Sequence, residues 1–144
     1  MQRAHGGGAL AAVDRLVWEV VAASGDLAQG RRSGLARLLR EGAAAALTGV
    51  AWACREARRE RAVAHLEGVV RELRRLATWL DLAERFGDLP ADRTVAALEA
   101  QALAQAEVEA LAAAWRGEPA AAAAGEDDQD TRPLTPVAAS SRLA

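Results

Sequence analysis

Ala53-Cys54-Arg55-Glu56-Ala57-Arg58-Arg59-Glu60-Arg61 is the stretch on which the fold turns. It holds no proline and no glycine, so local propensity alone lets one helix run straight through it. That helix would reach from Gly34 to Arg85, about 78 Å at roughly 1.5 Å per residue. A chain of 144 residues is one domain by size and has no core long enough to cover such a rod. We therefore place a turn near Arg55–Arg59, which divides the segment into two antiparallel helices.

The neighbouring segments complete the pattern. Upstream, Leu35, Leu38, Leu39, Ala46, Leu47 and Val50 form the apolar stripe of a helix from Ser33 or Gly34 to Cys54. Its run from Gly42 to Ala46, with Gly49, is small enough for another helix backbone to approach closely. Downstream, Val63, Leu66, Val69, Val70, Leu73, Leu76, Ala77, Leu80 and Ala83 mark a helix from Arg59 to Phe86, ended by Gly87-Asp88-Leu89-Pro90. Before these two, Val13, Leu16, Val17, Val20, Val21 and Leu27 place a first helix at Ala9–Gln29, and Gly30-Arg31-Arg32-Ser33-Gly34 breaks it. After them, Val95, Leu98, Ala102, Leu103, Ala106, Leu111 and Trp115 give a fourth helix from Ala91 or Asp92 to Arg116, with Gly117 as its C-cap.

No segment alternates with period two. The sequence thus predicts an all-α fold, an antiparallel up-down-up-down four-helix bundle over residues 9–117. Residues 1–8 read as a flexible N-terminus. Residues 118–144, rich in Pro, Ala, Ser and acids, read as a disordered tail.

Composition excludes several kinds of chemistry. The single cysteine, Cys54, leaves no internal disulfide and no CxxC metal knuckle. Two histidines, His5 and His65, are too few and too far apart for a histidine metal site. Glu56, Glu60 and Glu67 lack the two Glu-x-x-His pairs of a di-iron bundle. Gly6–Gly8 fit neither GxGxxG nor a phosphate-binding loop, and no Ser, His and Asp stand in a nucleophile context. The expectation is a protein without enzymatic activity, metal or cofactor. The longest small-residue apolar run, Gly42 to Cys54, is shorter than the roughly 18–20 residues of a membrane span. With no apolar core behind the basic start, the reading is cytoplasmic and off the membrane.

Net charge is −2, but it is unevenly spread. From Arg31 to Arg75 eleven arginines face five acids, while from Leu76 to Arg116 three arginines face seven. All positive charge comes from arginine. A basic middle flanked by acidic segments is either a polar face for a partner or a self-complementary bundle surface. Arg55, Arg58, Arg59 and Arg61 gather at the proposed turn, and Arg71, Arg74 and Arg75 follow on the way back along the next helix. Guanidinium forks suit phosphate oxygens, so these seven are the candidate nucleic-acid-binding residues. No aromatic side chain interleaves them, so binding would be sequence-independent and weakened by salt. Pairing with Glu56 and Glu60 is the competing assignment. The four tryptophans, Trp18, Trp52, Trp79 and Trp115, belong in the core, or, where exposed on a side face, at a subunit contact.

Gly34-Leu35-Ala36-Arg37-Leu38-Leu39-Arg40 and Leu66-Glu67-Gly68-Val69-Val70-Arg71-Glu72-Leu73 resemble the bacterial four-helix-bundle proteins first known from rRNA intervening sequences. Leu73-Arg74-Arg75-Leu76-Ala77-Thr78-Trp79-Leu80 and the last helix ending in Trp115 are similar to one branch, the accessory variability determinant (Avd) proteins of diversity-generating retroelements. The resemblance covers about residues 10–116. It implies a barrel-shaped homopentamer that contacts a reverse transcriptase and RNA or DNA. The alternative from the residues alone is a scaffold or adaptor bundle that binds only protein partners, as in a conflict or defence system.

Overall fold

A computed structural model describes residues 6–25 and 33–118. Four helices account for nearly all of them: α1 (Gly7–Ser24), α2 (Ser33–Arg55), α3 (Arg59–Arg85) and α4 (Ala91–Arg116). No strand occurs among the described residues. The expected break at Gly30–Arg32, the residues Leu27 and Gln29, and most of the tail lie outside them.

The helices pack as a closed ring in which α1 touches α2 and α4, and α3 touches the same two. Three contacts fix the directions. Gly6, at the start of α1, lies against Cys54 at the end of α2 and Leu111 near the end of α4. Arg40, in the second turn of α2, donates from Nε to the buried hydroxyl of Ser24 at the end of α1, at 2.9 Å. Arg116 at the end of α4 meets Glu67 in α3. Each helix is therefore antiparallel to both neighbours, as an up-down-up-down four-helix bundle requires.

The turn at Glu56–Arg58 is real and tight. The backbone N–H of Arg58 donates to Glu56 Oε1 at 3.0 Å, so the glutamate closes the reversal that no glycine or proline marks. Burying apolar stripes on both sides is what makes two helices better than one rod. Leu39, Ala43, Ala46, Val50 and Ala53 from α2 meet Leu66, Val69, Leu73, Leu76 and Leu80 from α3 in the core. The two run close together because Gly49 carries no side chain: a Cβ there would lie 2.5 Å from Val69 Cγ2. At the other end of the chain's path, Gly117 takes φ 77° and closes α4, with Gly117 N–H on Ala114 O and Glu118 N–H on Ala113 O.

Some boundaries and faces differ from the sequence reading. α1 begins at Gly7, two residues early, so Gly7 and Gly8 are helical and not part of a flexible lead. The larger difference is in α4. Val95, Ala102, Leu103 and Ala106 were assigned to its core face, yet all four are exposed. The buried face is instead Thr94, Ala97, Ala100, Gln101, Ala104, Val108, Leu111, Ala112 and Trp115. With alanine on every side of this helix, apolarity alone does not choose a face. Close packing does, because small side chains at 97, 100, 104 and 112 let α4 settle against α1 and α3. Leu38 and Val21 are likewise exposed despite lying in their helices' apolar sets.

Candidate polyanion-binding corner

The topology brings the end of α2, the start of α3, the start of α1 and the end of α4 to one end of the bundle. Arg55 closes α2, Arg58 is the N-cap of α3, and Arg59 and Arg61 occupy its first turn. All four side chains are exposed, and none forms an ion pair with another described residue. Arg55 suits the negative end of the α2 dipole. Arg58, Arg59 and Arg61 sit at the positive end of α3, where cations are disfavoured and anions are stabilised. Glu60 in the same turn offsets this in part.

Glu56 is the acid within the corner. Its carboxyl is held below the ordinary value of 4.5, first by the N–H of Arg58 and further by the charge of Arg61 and of His65. It is engaged with the turn's own backbone, and its charge also acts on Arg61. Beside it, His65 packs edge-on against Trp52, ring centroids 6.1 Å apart and planes at 88°. Burial pushes the Cys54 thiol up, away from the thiolate form that would make it reactive.

The other three predicted residues are elsewhere. Arg71 and Arg74 line a groove of about 510 Å³ between α3 and α4, together with Arg116, Glu67, Glu109 and Glu118. Arg74 donates to Glu109 at 3.3 Å and Arg116 to Glu67 at 2.6 Å. Arg75 lies on the opposite flank, 3.6 Å from Glu72. From Arg59 to Arg74 is ~22 Å along α3. The seven arginines therefore lie in three places: four at the corner beside Glu56 and Glu60, Arg71 and Arg74 in the α3–α4 groove, and Arg75 on the α2 side of α3. Arg116 was not among the candidates. On α4, far along the sequence from Arg71 and Arg74, it is brought beside them by the antiparallel packing alone.

A ladder of side-chain amides supports the groove. Gln101, buried, donates from Nε2 to Leu73 O and to Gln105 Oε1, both at 3.0 Å, and Gln105 donates to Glu109 at 2.9 Å. This fixes the carboxylate that Arg74 meets. The flank between α2 and α3 is different again. Trp52 is 60% exposed, Phe86 67%, and Leu38, Trp79, Leu82 and Phe86 border an apolar pocket of about 360 Å³. On α1, Trp18 is 69% exposed. Of the tryptophans only Trp115 is buried, plugging the core at the corner's end, with its indole N–H unpartnered among the described residues.

Among the described residues no three His, Cys, Asp or Glu side chains group as a metal site would need. No described helix is long and apolar enough to cross a membrane. The chain matches no family model, no curated protein and no solved structure.

Proposed function

We propose that this chain is a non-enzymatic accessory protein that holds RNA or DNA phosphates at the α2–α3 corner while its apolar flanks meet protein. The observation that carries this is four exposed guanidinium groups within seven residues of one turn, none of them in an ion pair with another described residue. Phosphate oxygens supply the bidentate acceptors that no described carboxylate supplies there. The resemblance of residues 10–116 to the Avd branch extends the reading. The protein partner is then a reverse transcriptase of a diversity-generating retroelement, and the bundle assembles as a homopentamer. Trp18, Trp52 and Phe86, too exposed for a lone bundle to favour, support protein contacts on its sides.

Fluorescence anisotropy against duplex RNA and DNA across a salt series tests the corner. Four phosphate contacts imply a loss of about a hundredfold in affinity between 50 and 200 mM salt. Arg58→Glu with Arg59→Glu abolishes binding while the helical circular dichroism stays unchanged. Binding that survives this pair assigns the site elsewhere.

The exposed apolar side chains favour a second reading, a scaffold that binds protein alone. It requires no polyanion affinity even at low salt, and a partner recovered on the α2–α3 flank that is lost with Trp52→Glu.

A further inference from the structure

Two opposite sides of the bundle expose large apolar side chains, and their charges are opposite as well. Because α1 touches α2 and α4, and α3 touches the same two, the α1–α4 pair and the α2–α3 pair form opposite sides. On the α1–α4 side, Trp18 is the most exposed large apolar side chain among the described residues, and Val95 and Leu103 are about half exposed. Gly8 lies against Glu107, so Trp18, ten residues on in an antiparallel pair, stands near the level of Ala97, between Val95 and Leu103. On the α2–α3 side, Leu38, Trp79, Leu82 and Phe86 border the apolar pocket of about 360 Å³, and a second hollow of about 230 Å³ continues from Leu38 and Trp79 toward Ala45. Helices α1 and α4 carry three arginines and six acids, whereas α2 and α3 carry nine arginines and six acids. The two halves thus have net charges of −3 and +3, ion pairs within each half cancelling in the count.

We infer that the α1–α4 face of one copy of this chain seats on the α2–α3 face of a second copy, with Trp18 entering the pocket between Leu38 and Phe86. Charge selects this among the three pairings that two faces allow. The α1–α4 face against itself sets negative on negative, and the α2–α3 face against itself sets positive on positive; only the unlike pairing attracts. Shape agrees with charge. Tryptophan is among the side chains that anchor an interface by filling a pocket, and the exposed Ala102, Ala106 and Ala110 leave room on α4 for the second copy to approach. The contact joins two different patches, so a pair of copies still has one free face of each kind, and the contact repeats until a ring closes. It deepens the self-association in the function proposed above and rests on that reading only for the number of subunits.

The test spoils one face at a time in the full chain. Trp18→Glu with Leu103→Glu alters the α1–α4 face, and Leu38→Glu with Phe86→Glu alters the α2–α3 face. All four side chains are exposed, so the helical circular dichroism of both variants stays unchanged. By sedimentation velocity the unaltered chain is an oligomer and each variant alone is a monomer. An equimolar mixture of the two forms a heterodimer of twice the monomer mass and grows no further, because each partner lends its one intact face. In that mixture amide shifts move around residues 18 and 103 of one chain and around residues 38 and 79–86 of the other. A mixture that stays monomeric, or a variant that pairs with itself, overturns the pairing. An oligomer that neither variant disturbs overturns it too, and leaves the proposed ring standing on other faces. A monomeric unaltered chain removes both. A heterodimer in the mixture with a ring of another subunit number in the unaltered chain upholds the pairing and overturns the pentamer.

Discussion

Along the α3–α4 seam, Arg74 and Arg116 each meet a glutamate of the facing helix, and a ladder of glutamines holds one of those glutamates in place. At the α2–α3 corner, Arg55, Arg58, Arg59 and Arg61 are exposed and form no ion pair with another described residue. The side chain is the same in both places. What differs is the opposite wall: α4 presents Glu109 to Arg74, whereas the corner opens to solvent at a helix start. A guanidinium with a carboxylate already in its fork contributes to packing and is a poor phosphate ligand. One without such a partner keeps all five donors for something else.

The sharpest break of this contrast is charge reversal on each side. Arg58→Glu with Arg59→Glu lowers duplex RNA affinity by about a hundredfold or more and reduces the salt slope by about two. Arg74→Glu changes affinity by less than about threefold, measured in the same anisotropy titration. Similar losses from both would mean that the seam binds as the corner does.

The next effect concerns the rigid helix pair on which the corner is built. Gly49→Ala forces a Cβ against Val69 and destabilises the fold by about 1–3 kcal/mol. A urea melt measures this, and an unchanged midpoint would mean that α2 and α3 are not closely seated. On the seam, Gln101→Ala removes the buried donor to Leu73 O and lowers stability by about 1–2 kcal/mol. Arg116→Ala, an exposed pair with Glu67, lowers it by only about 0.2–1 kcal/mol and leaves RNA affinity intact.

The smallest effect is a pH dependence at the corner. Because the folded carboxyl of Glu56 lies below its ordinary value, its contribution to the turn is present above pH 4.5 and is lost as pH falls through the folded value. A carboxyl-carbon titration by NMR finds that midpoint below 4.5, and Arg61→Gln moves it upward. A midpoint at or above 4.5 in the unaltered chain would detach Glu56 from the turn.

Much of this was legible beforehand, for reasons that can be named. α3 was read almost to the residue because Leu66, Leu73, Leu76 and Leu80 are large, aligned and bounded by Gly87 and Pro90. The turn at 56–58 followed from length, since no short core can cover a rod. α4 was read with the wrong face, because alanine is compatible with every face and Gln101 was buried only through its bond to Leu73 O. The seven candidate arginines are all exposed, but the fold divides them among three places that the sequence does not separate. Sequence distance places Arg74 and Arg75 together, whereas the fold turns them to opposite flanks of α3.

The sequence by itself determined the number of helices, their approximate ends and the excess of arginine around residue 58. Those depend on local periodicity, on helix-ending residues and on chain length, all of which are written along the chain. Only the tertiary structure decided which arginines are paired, which face of α4 is buried and which helix ends share the corner. Each of these depends on what stands across a groove, and that is fixed by the antiparallel packing of all four helices at once.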